Sequence, residues 1–231
     1  MATLSIDDVL SLEYPGVPFW STDGRYVATV IQEPDSDSVL FSEPSGDTKW
    51  RYRPDDQDTV AAATWRPGAP ECLIRFGSGR IICVNPQSKS ARIVATGRPE
   101  SHHTWSSNGD RIAFYQAGTL CVRNIEESAT HTLEVPGGSR FRADDRMLSW
   151  TPDGNLLAYR FTREDAKHVG IVDVSSGDLI WRTTGPGSSH SPLWISNDEL
   201  LFERIRDNRK IRELVKVNPQ ARTKTILFRE E

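Results

Sequence analysis

The sequence predicts an all-β chain that folds as a β-propeller of five four-stranded blades. A tryptophan-containing phrase of the type Trp-Ser-Thr-Asp-Gly occurs five times, with its tryptophan at Trp20, Trp65, Trp105, Trp150 and Trp194. These residues are 45, 40, 45 and 44 positions apart. A repeat of about 40 to 50 residues that contains several strands is typical of propeller blades.

Each repeat contains the same order of elements. In the third repeat, Trp105 ends a short strand, residues 107–110 have the composition of a tight turn, and residues 111–115 form the next strand. A hairpin, a third strand, a polar turn and a fourth strand follow. The predicted blades span approximately residues 14–54, 60–97, 101–136, 146–184 and 190–229.

The ends of the repeat array predict where the chain makes contacts. Every repeat runs from its inner to its outer strand, so the chain ends with the fourth strand of blade five and no strand is left to clasp the first and last blades. Because the blades resemble those of seven- or eight-bladed rings, we predict a partial, open array. Uncovered terminal faces of a repeat array favour binding or self-association.

Composition and charge exclude several classes of protein. The 231 residues carry a net charge of −4, whereas a nucleic-acid surface usually needs a basic stripe. No apolar run reaches membrane-spanning length, and the first ten residues lack the features of a signal peptide. Three cysteines suit a reducing compartment, with Cys83 and Cys121 as buried thiols. We therefore expect a soluble, cytoplasmic protein.

The opening of the chain carries a family resemblance. Residues 4–12, followed by Val17-Pro18-Phe19-Trp20-Ser21-Thr22-Asp23-Gly24-Arg25-Tyr26-Val27-Ala28, resemble the start of the N-terminal propeller of the prolyl oligopeptidase family of serine peptidases. The acylaminoacyl peptidase and dipeptidyl peptidase branch is the most similar, and the repeated phrase also resembles that of TolB-like propellers. In the peptidase family an α/β-hydrolase domain follows seven or eight blades, whereas this sequence has five blades and stops at Glu231.

The sequence predicts no catalytic residue. A hydrolase of that family needs a Gly-x-Ser-x-Gly turn between a strand and a helix. The nearest segments, residues 137–141 and 185–190, lack the pattern, and no helix follows either. Ser188, Ser189 and His190 are interpreted as a loop between blades four and five. The chain alone is therefore not expected to be an enzyme.

No metal or cofactor site is predicted either. His102 and His103 precede Trp105, and His190 precedes Trp194, on equivalent connections. Their blades are not adjacent, and no Asp, Glu or Cys has a matching spacing for a metal. The acidic segments 35–37 and 55–58 lack the full calcium-loop pattern and are interpreted as polar loops.

The tryptophans divide into two predicted groups. The fixed position of the five repeated tryptophans relative to the turn indicates that they pack the blades together. Two others, Trp50 and Trp181, occupy matching fourth strands of blades one and four. Trp50 and Trp181 are the first candidates for a contact surface, and His102, His103 and His190 are the others.

Two functions remain open. The resemblance implies a noncatalytic module related to the substrate-gating propeller of the peptidases, which would act as a docking or gating surface. The alternative is a free-standing, WD40-like or TolB-like scaffold that binds protein or peptide. A five-bladed glycosidase is disfavoured, because the predicted inner strands contain no carboxylates to act as acid and base.

Overall fold

The computed structural model describes residues 14–54, 57–96, 103–116, 119–127, 130–133, 148–163, 165–207 and 210–230. Regular structure in these ranges consists of β-strands, without an α-helix. Accordingly, the described part of the chain contains no helix that is long and apolar enough to cross a membrane. The opening segment 4–12 lies outside these ranges.

The strands form five separate antiparallel sheets, and each sheet consists of consecutive strands. The predicted all-β chain of five four-stranded blades is therefore confirmed. Among the described strands, no sheet combines strands from both ends of the chain. The chain divides into two compact units, residues 1–99 with blades one and two and residues 100–231 with blades three to five.

The described residues of the first unit form nine strands. In blade one the inner strand is split into two pieces that both pair with the second strand, so the blade keeps the four-stranded order. Its strands are β1 (Tyr14–Pro15), β2 (Phe19–Trp20), β3 (Val27–Gln32), β4 (Ser38–Ser42) and β5 (Thr48–Tyr52). Those of blade two are β6 (Val60–Trp65), β7 (Cys72–Phe76), β8 (Ile81–Asn85) and β9 (Ser90–Ala95).

Twelve strands are formed by the part of the second unit that the structure describes. Blade three consists of β10 (His103–Trp105), β11 (Arg111–Gln116), β12 (Thr119–Asn124) and β13 (Thr130–Leu133). Blade four consists of β14 (Leu148–Trp150), β15 (Leu156–Arg163), β16 (Ala166–Asp173) and β17 (Leu179–Arg182). Blade five consists of β18 (Ser188–Trp194), β19 (Leu200–Arg206), β20 (Ile211–Asn218) and β21 (Thr223–Glu230).

The repeated phrase forms a hydrogen-bonded turn between the first two strands of a blade. In blade four, the Thr151 hydroxyl donates to the Asp153 carboxylate at 2.6 Å and accepts from the Leu156 amide at 3.0 Å. Ser21 and Ser106 make the equivalent contacts in blades one and three. Gly154 follows with a left-handed φ of 72°, which glycine adopts without a steric cost. The phrase therefore encodes a complete turn.

The tryptophan of the phrase packs against the blade that precedes it in the chain. Trp65 of blade two lies 5.7 Å from Phe41 of blade one, and its indole nitrogen donates to the Phe19 carbonyl at 3.2 Å. Trp150 belongs to a buried cluster that blades three and four share, and Trp194 to one that blades four and five share. All three tryptophans, and Trp105, are at most 7% exposed.

Trp20 departs from this pattern and corrects the sequence interpretation. Its indole is 59% exposed, although Trp20 occupies the same position in the phrase. Trp65, Trp150 and Trp194 are covered by the blade that precedes each of them, whereas no described strand covers Trp20. Trp20 therefore does not pack two blades together.

Several polar and sulfur-containing residues have structural roles. Cys72, Cys83 and Cys121 are free and buried, and burial raises the pKa of the Cys83 thiol to about 12.

In the predicted polar loops, Asp37 accepts from the Val60 amide at 2.7 Å, and Asp58 accepts from the Ser78 amide at 3.1 Å. The Asp37 carboxylate thus links blade one to the first strand of blade two, and the Asp58 carboxylate fixes the hairpin of blade two. Asp55 and Asp56 lie outside the described residues.

Replacing Trp150 by alanine should destabilise the protein by about 3 to 5 kcal/mol, because the substitution opens a cavity between two blades. Trp20→Ala is the matched control and should cost less than about 1 kcal/mol, since its indole is exposed. Urea denaturation followed by far-ultraviolet circular dichroism measures both values. Equal losses of stability would mean that Trp20 is covered in solution.

Candidate interaction surfaces

Both tryptophans that the sequence selects for a contact surface are half-buried. Trp50 lies in β5, stacked on Phe41 with ring centroids 5.9 Å apart, and makes an edge contact with Tyr52 at 5.5 Å. Trp181 lies in β17, 6.0 Å from Phe202 of the next blade. Each side chain thus packs in a cluster between blades and leaves the rest of its surface accessible from the outer strands.

The three histidines of the prediction differ in position. His103 is buried in β10, whereas His190 is half-buried in β18; His102 lies outside the described residues. The three described candidates of the second unit, His103, Trp181 and His190, lie in three different blades.

Ser188, Ser189 and His190 belong to a strand, which corrects their interpretation as a loop. Ser188 is opposite Ile205, and His190 is opposite Glu203, so β18 begins two residues before the predicted start of blade five at residue 190. These residues form a strand because they pair with the long strand β19. The glycine-rich sequence before Ser188 suggests a loop and gives no indication of this pairing. The Ser188 hydroxyl accepts a hydrogen bond from the Lys167 amide at 3.2 Å, and Ser189 is buried.

His190 lines a cleft of about 530 Å³ at the hairpin ends of blades four and five. The hairpin of blade four is tight, because Arg163 pairs with Ala166. Gly187, with a φ of 97°, forms part of the wall, and a Cβ atom there would collide with the Ile205 carbonyl. The charged lining residues are Asp165, Lys167, Arg206, Asp207 and Arg212.

The mixed charges of this hairpin-end cleft suit a polar peptide segment better than a metal ion. Two carboxylates and three cationic side chains line it together with the imidazole of His190. Within the ranges that the structure describes, no group of three or more His, Cys, Asp or Glu side chains is arranged to hold a metal ion.

A second cleft, of about 190 Å³, lies between the outer parts of blades four and five, and we call it the rim cleft. Trp181 and Phe202 contribute its aromatic lining. Its remaining lining side chains are those of Arg182, Thr183, Thr184, Arg204, Val217, Arg222, Thr223 and Lys224. The lining therefore includes four cationic side chains and no carboxylate.

A buried ion cluster adjoins this cleft on blade five. The fully buried Glu213 carboxylate accepts hydrogen bonds from Arg204 at 2.7 Å, Arg206 at 2.7 Å and Arg229 at 2.8 Å. Burial alone would raise the pKa of Glu213, but the three guanidinium groups outweigh it and lower the pKa to about 2. One negative charge is thus shared among three positive charges.

The outward faces of blades one and five expose apolar side chains. On blade one these are Val17 and Trp20. On blade five, Leu193, Leu214 and Phe228 are exposed, with Leu214 directly opposite Phe228 in the sheet. Trp20 lies on the face of its sheet opposite to the one that packs against blade two. Leu214 and Phe228 lie on the face opposite to the one that packs against blade four, because successive side chains alternate along a strand.

No protein-family model and no curated protein sequence matches the chain. Solved structures do match: a dipeptidyl peptidase 4 from Porphyromonas gingivalis has 12% identity and a TM-score of 0.67, over 92% of this chain and 39% of that one. The C-terminal WD40 domain of Sif2 has 13% identity and a TM-score of 0.66, over 98% and 60%. A putative TolB from Agrobacterium tumefaciens has 16% identity and a TM-score of 0.55, over 94% and 81%.

These similarities concern the fold. The chain folds like WD40-like and TolB-like propellers, and it spans less than two thirds of the peptidase and of the Sif2 chain. These similarities do not show the prolyl oligopeptidase family that the opening of the sequence resembles.

Replacing Glu213 by glutamine should destabilise the protein by about 3 kcal/mol at neutral pH, because three arginines lose their buried counter-ion. Since folding lowers the Glu213 pKa from 4.5 to about 2, its stabilisation is complete above pH 4.5 and is lost as the pH falls towards 2. The difference between wild type and variant should therefore shrink in acid.

Urea denaturation at several pH values between neutrality and pH 3 measures this dependence. Glu203→Gln is the matched control, because Glu203 lies on the opposite face of the same sheet and has no ion-pair partner among the described residues. A Glu213→Gln effect that stays constant with pH would contradict the assigned ion cluster.

Proposed function

We propose that this chain is a noncatalytic propeller module that docks a protein partner on the outward faces of its terminal blades. The exposure of Trp20 carries the proposal. Its counterparts Trp65, Trp150 and Trp194 are each covered by a blade, whereas Trp20 presents the same side chain to solvent. An accessible indole, at a position where other repeats bury theirs against a sheet, is a strong anchor for a protein interface.

The chemistry of the faces defines the partner. Trp65 packs against a sheet surface that includes Ala28 and Phe41, so the Trp20 face is suited to another apolar β-sheet surface. Contiguous exposed apolar patches are uncommon on soluble monomeric proteins and often mark interaction sites. A second copy of this chain offers such a surface at Leu214 and Phe228 of blade five, and is the simplest partner.

A finer proposal concerns the context of this docking. The resemblance of residues 17–28 to the peptidase propellers, together with the fold shared with a dipeptidyl peptidase, supports a gating or docking role beside a hydrolase. A free-standing interaction scaffold is the second candidate, and the fold shared with a WD40 domain and a TolB protein favours it. In both cases the described residues supply binding surfaces and any hydrolysis resides elsewhere.

Purified protein should self-associate with increasing concentration, and Trp20→Ser should weaken the association at least about tenfold, since an anchor residue commonly contributes 2 kcal/mol or more. Sedimentation velocity measures the dissociation constant. Ile93→Ser is the matched control, because Ile93 is 56% exposed but lies on the outer strand of blade two. A monomer at all concentrations that also binds no hydrophobic dye would refute docking through the end faces.

The isolated chain should show no serine-hydrolase activity. Ser188 already accepts a backbone hydrogen bond and Ser189 is buried, so neither hydroxyl is presented as a nucleophile. A fluorophosphonate probe followed by mass spectrometry tests this, with a known serine hydrolase as the positive control. Stoichiometric labelling of either serine would refute the noncatalytic assignment.

A further inference from the structure

The rim cleft concentrates positive charge on a protein whose net charge is negative. The whole chain has a formal charge of −4, yet Arg182, Arg204, Arg222 and Lys224 line this one cleft without a carboxylate among its lining residues. Local clusters of one sign create a potential that attracts ligands of the opposite sign.

The neighbouring carboxylate cannot neutralise this charge. Glu213 is fully buried and binds Arg204 together with Arg206 and Arg229, so its single negative charge is already shared. The pKa of Lys224 is lowered by burial and by its repulsion from Arg204, and Glu213 offsets this only in part. Arg182, Arg222 and Lys224 have no ion-pair partner among the described residues.

The cationic side chains come from different elements that the fold brings together. Arg182 ends β17 of blade four, Arg204 lies in β19, and Lys224 lies in β21 of blade five. Arg222 is in the turn before β21 and has a left-handed φ of 54°. Lys89, in the equivalent turn of blade two, has a φ of 53°. The left-handed backbone is therefore a feature that two repeats share, whereas the cluster of four cationic side chains is a feature of the rim cleft.

We propose that the rim cleft binds a phosphate-type oxyanion, either as free phosphate or as a phosphorylated side chain of a protein. Guanidinium groups match phosphate oxygens in planar, paired hydrogen bonds, and a doubly charged anion neutralises more of this cluster than a carboxylate does. The exposed hydroxyl groups of Thr184 and Thr223 supply further donors. A volume of about 190 Å³ accommodates a phosphate group with a short carrier but excludes a nucleic-acid duplex.

This site uses none of the residues of the terminal end faces. The two proposals can therefore fail separately, because self-association depends on Trp20 and anion binding depends on the cationic side chains of the rim cleft.

Isothermal titration calorimetry with inorganic phosphate, at an ionic strength held constant with sodium chloride, tests the site. Wild type should bind phosphate saturably, and the double variant Arg222→Gln, Lys224→Gln should bind at least about tenfold more weakly, because two of the four charges are removed. Both residues are exposed and bind no carboxylate, so the variant should keep the circular dichroism spectrum and unfolding midpoint of the wild type. Lys89→Gln, in the equivalent turn of blade two, should leave binding unchanged.

A phosphoserine peptide and its unphosphorylated form distinguish the two sources of the anion. Tighter binding of the phosphopeptide than of inorganic phosphate assigns the cleft to a phosphorylated protein, and equal binding assigns it to the free anion. Absence of saturable phosphate binding by the wild type, or equal affinity of the wild type and the double variant, would overturn the proposal.

Discussion

The contact between the tryptophan of one blade and the sheet before it organises the whole structure. Trp65, Trp150 and Trp194 each bury a large aromatic surface at the point where two blades meet. The same phrase closes a turn through the hydroxyl group that follows the tryptophan. The next residue extends to the neighbouring blade, as Thr22 does to the Arg66 carbonyl and Ser107 to the Thr151 carbonyl. A few consecutive residues thus form both the turn within a blade and the contacts of that blade with its neighbours.

This arrangement separates stability from recognition. Most of the buried apolar side chains between blades come from inner and middle strands, whereas the outer strands and hairpin ends retain charged and aromatic groups. The two faces of β20 show the separation within a single strand, since Val215 and Val217 are buried against blade four and Leu214 is exposed. Surfaces on such a rigid framework can vary without loss of the fold.

The periodicity of the sequence was sufficient to predict the blades, but it did not predict which side chains the blade surfaces expose. The blades follow from local signals, because turn residues and alternating strands occur at the same place in every repeat. The exposure of Trp20 is not visible in its local sequence, which is that of the buried copies, and among the described residues no strand covers it. The start of β18 was missed because a glycine-rich segment suggests a loop, while pairing with β19 decides the conformation.

The ion cluster around Glu213 is a second feature that the sequence pattern does not predict. Arg204, Glu213 and Arg229 belong to three strands, and only the register of β19, β20 and β21 places them side by side. Their spacing in the sequence carries no recognisable motif. A single carboxylate among scattered arginines therefore looks ordinary in the sequence, although it becomes the centre of a buried network in the fold.

The direction of tryptophan packing gives the repeat array a polarity. Trp65, Trp150 and Trp194 each cover the preceding blade, whereas the outward face of blade one presents an exposed indole, and that of blade five presents Leu214 and Phe228. Copies that meet through these two faces join unlike surfaces, which is a heterologous contact without twofold symmetry. Such a contact either closes into a ring or continues as a filament, and the rotation between successive copies decides which of the two assemblies forms.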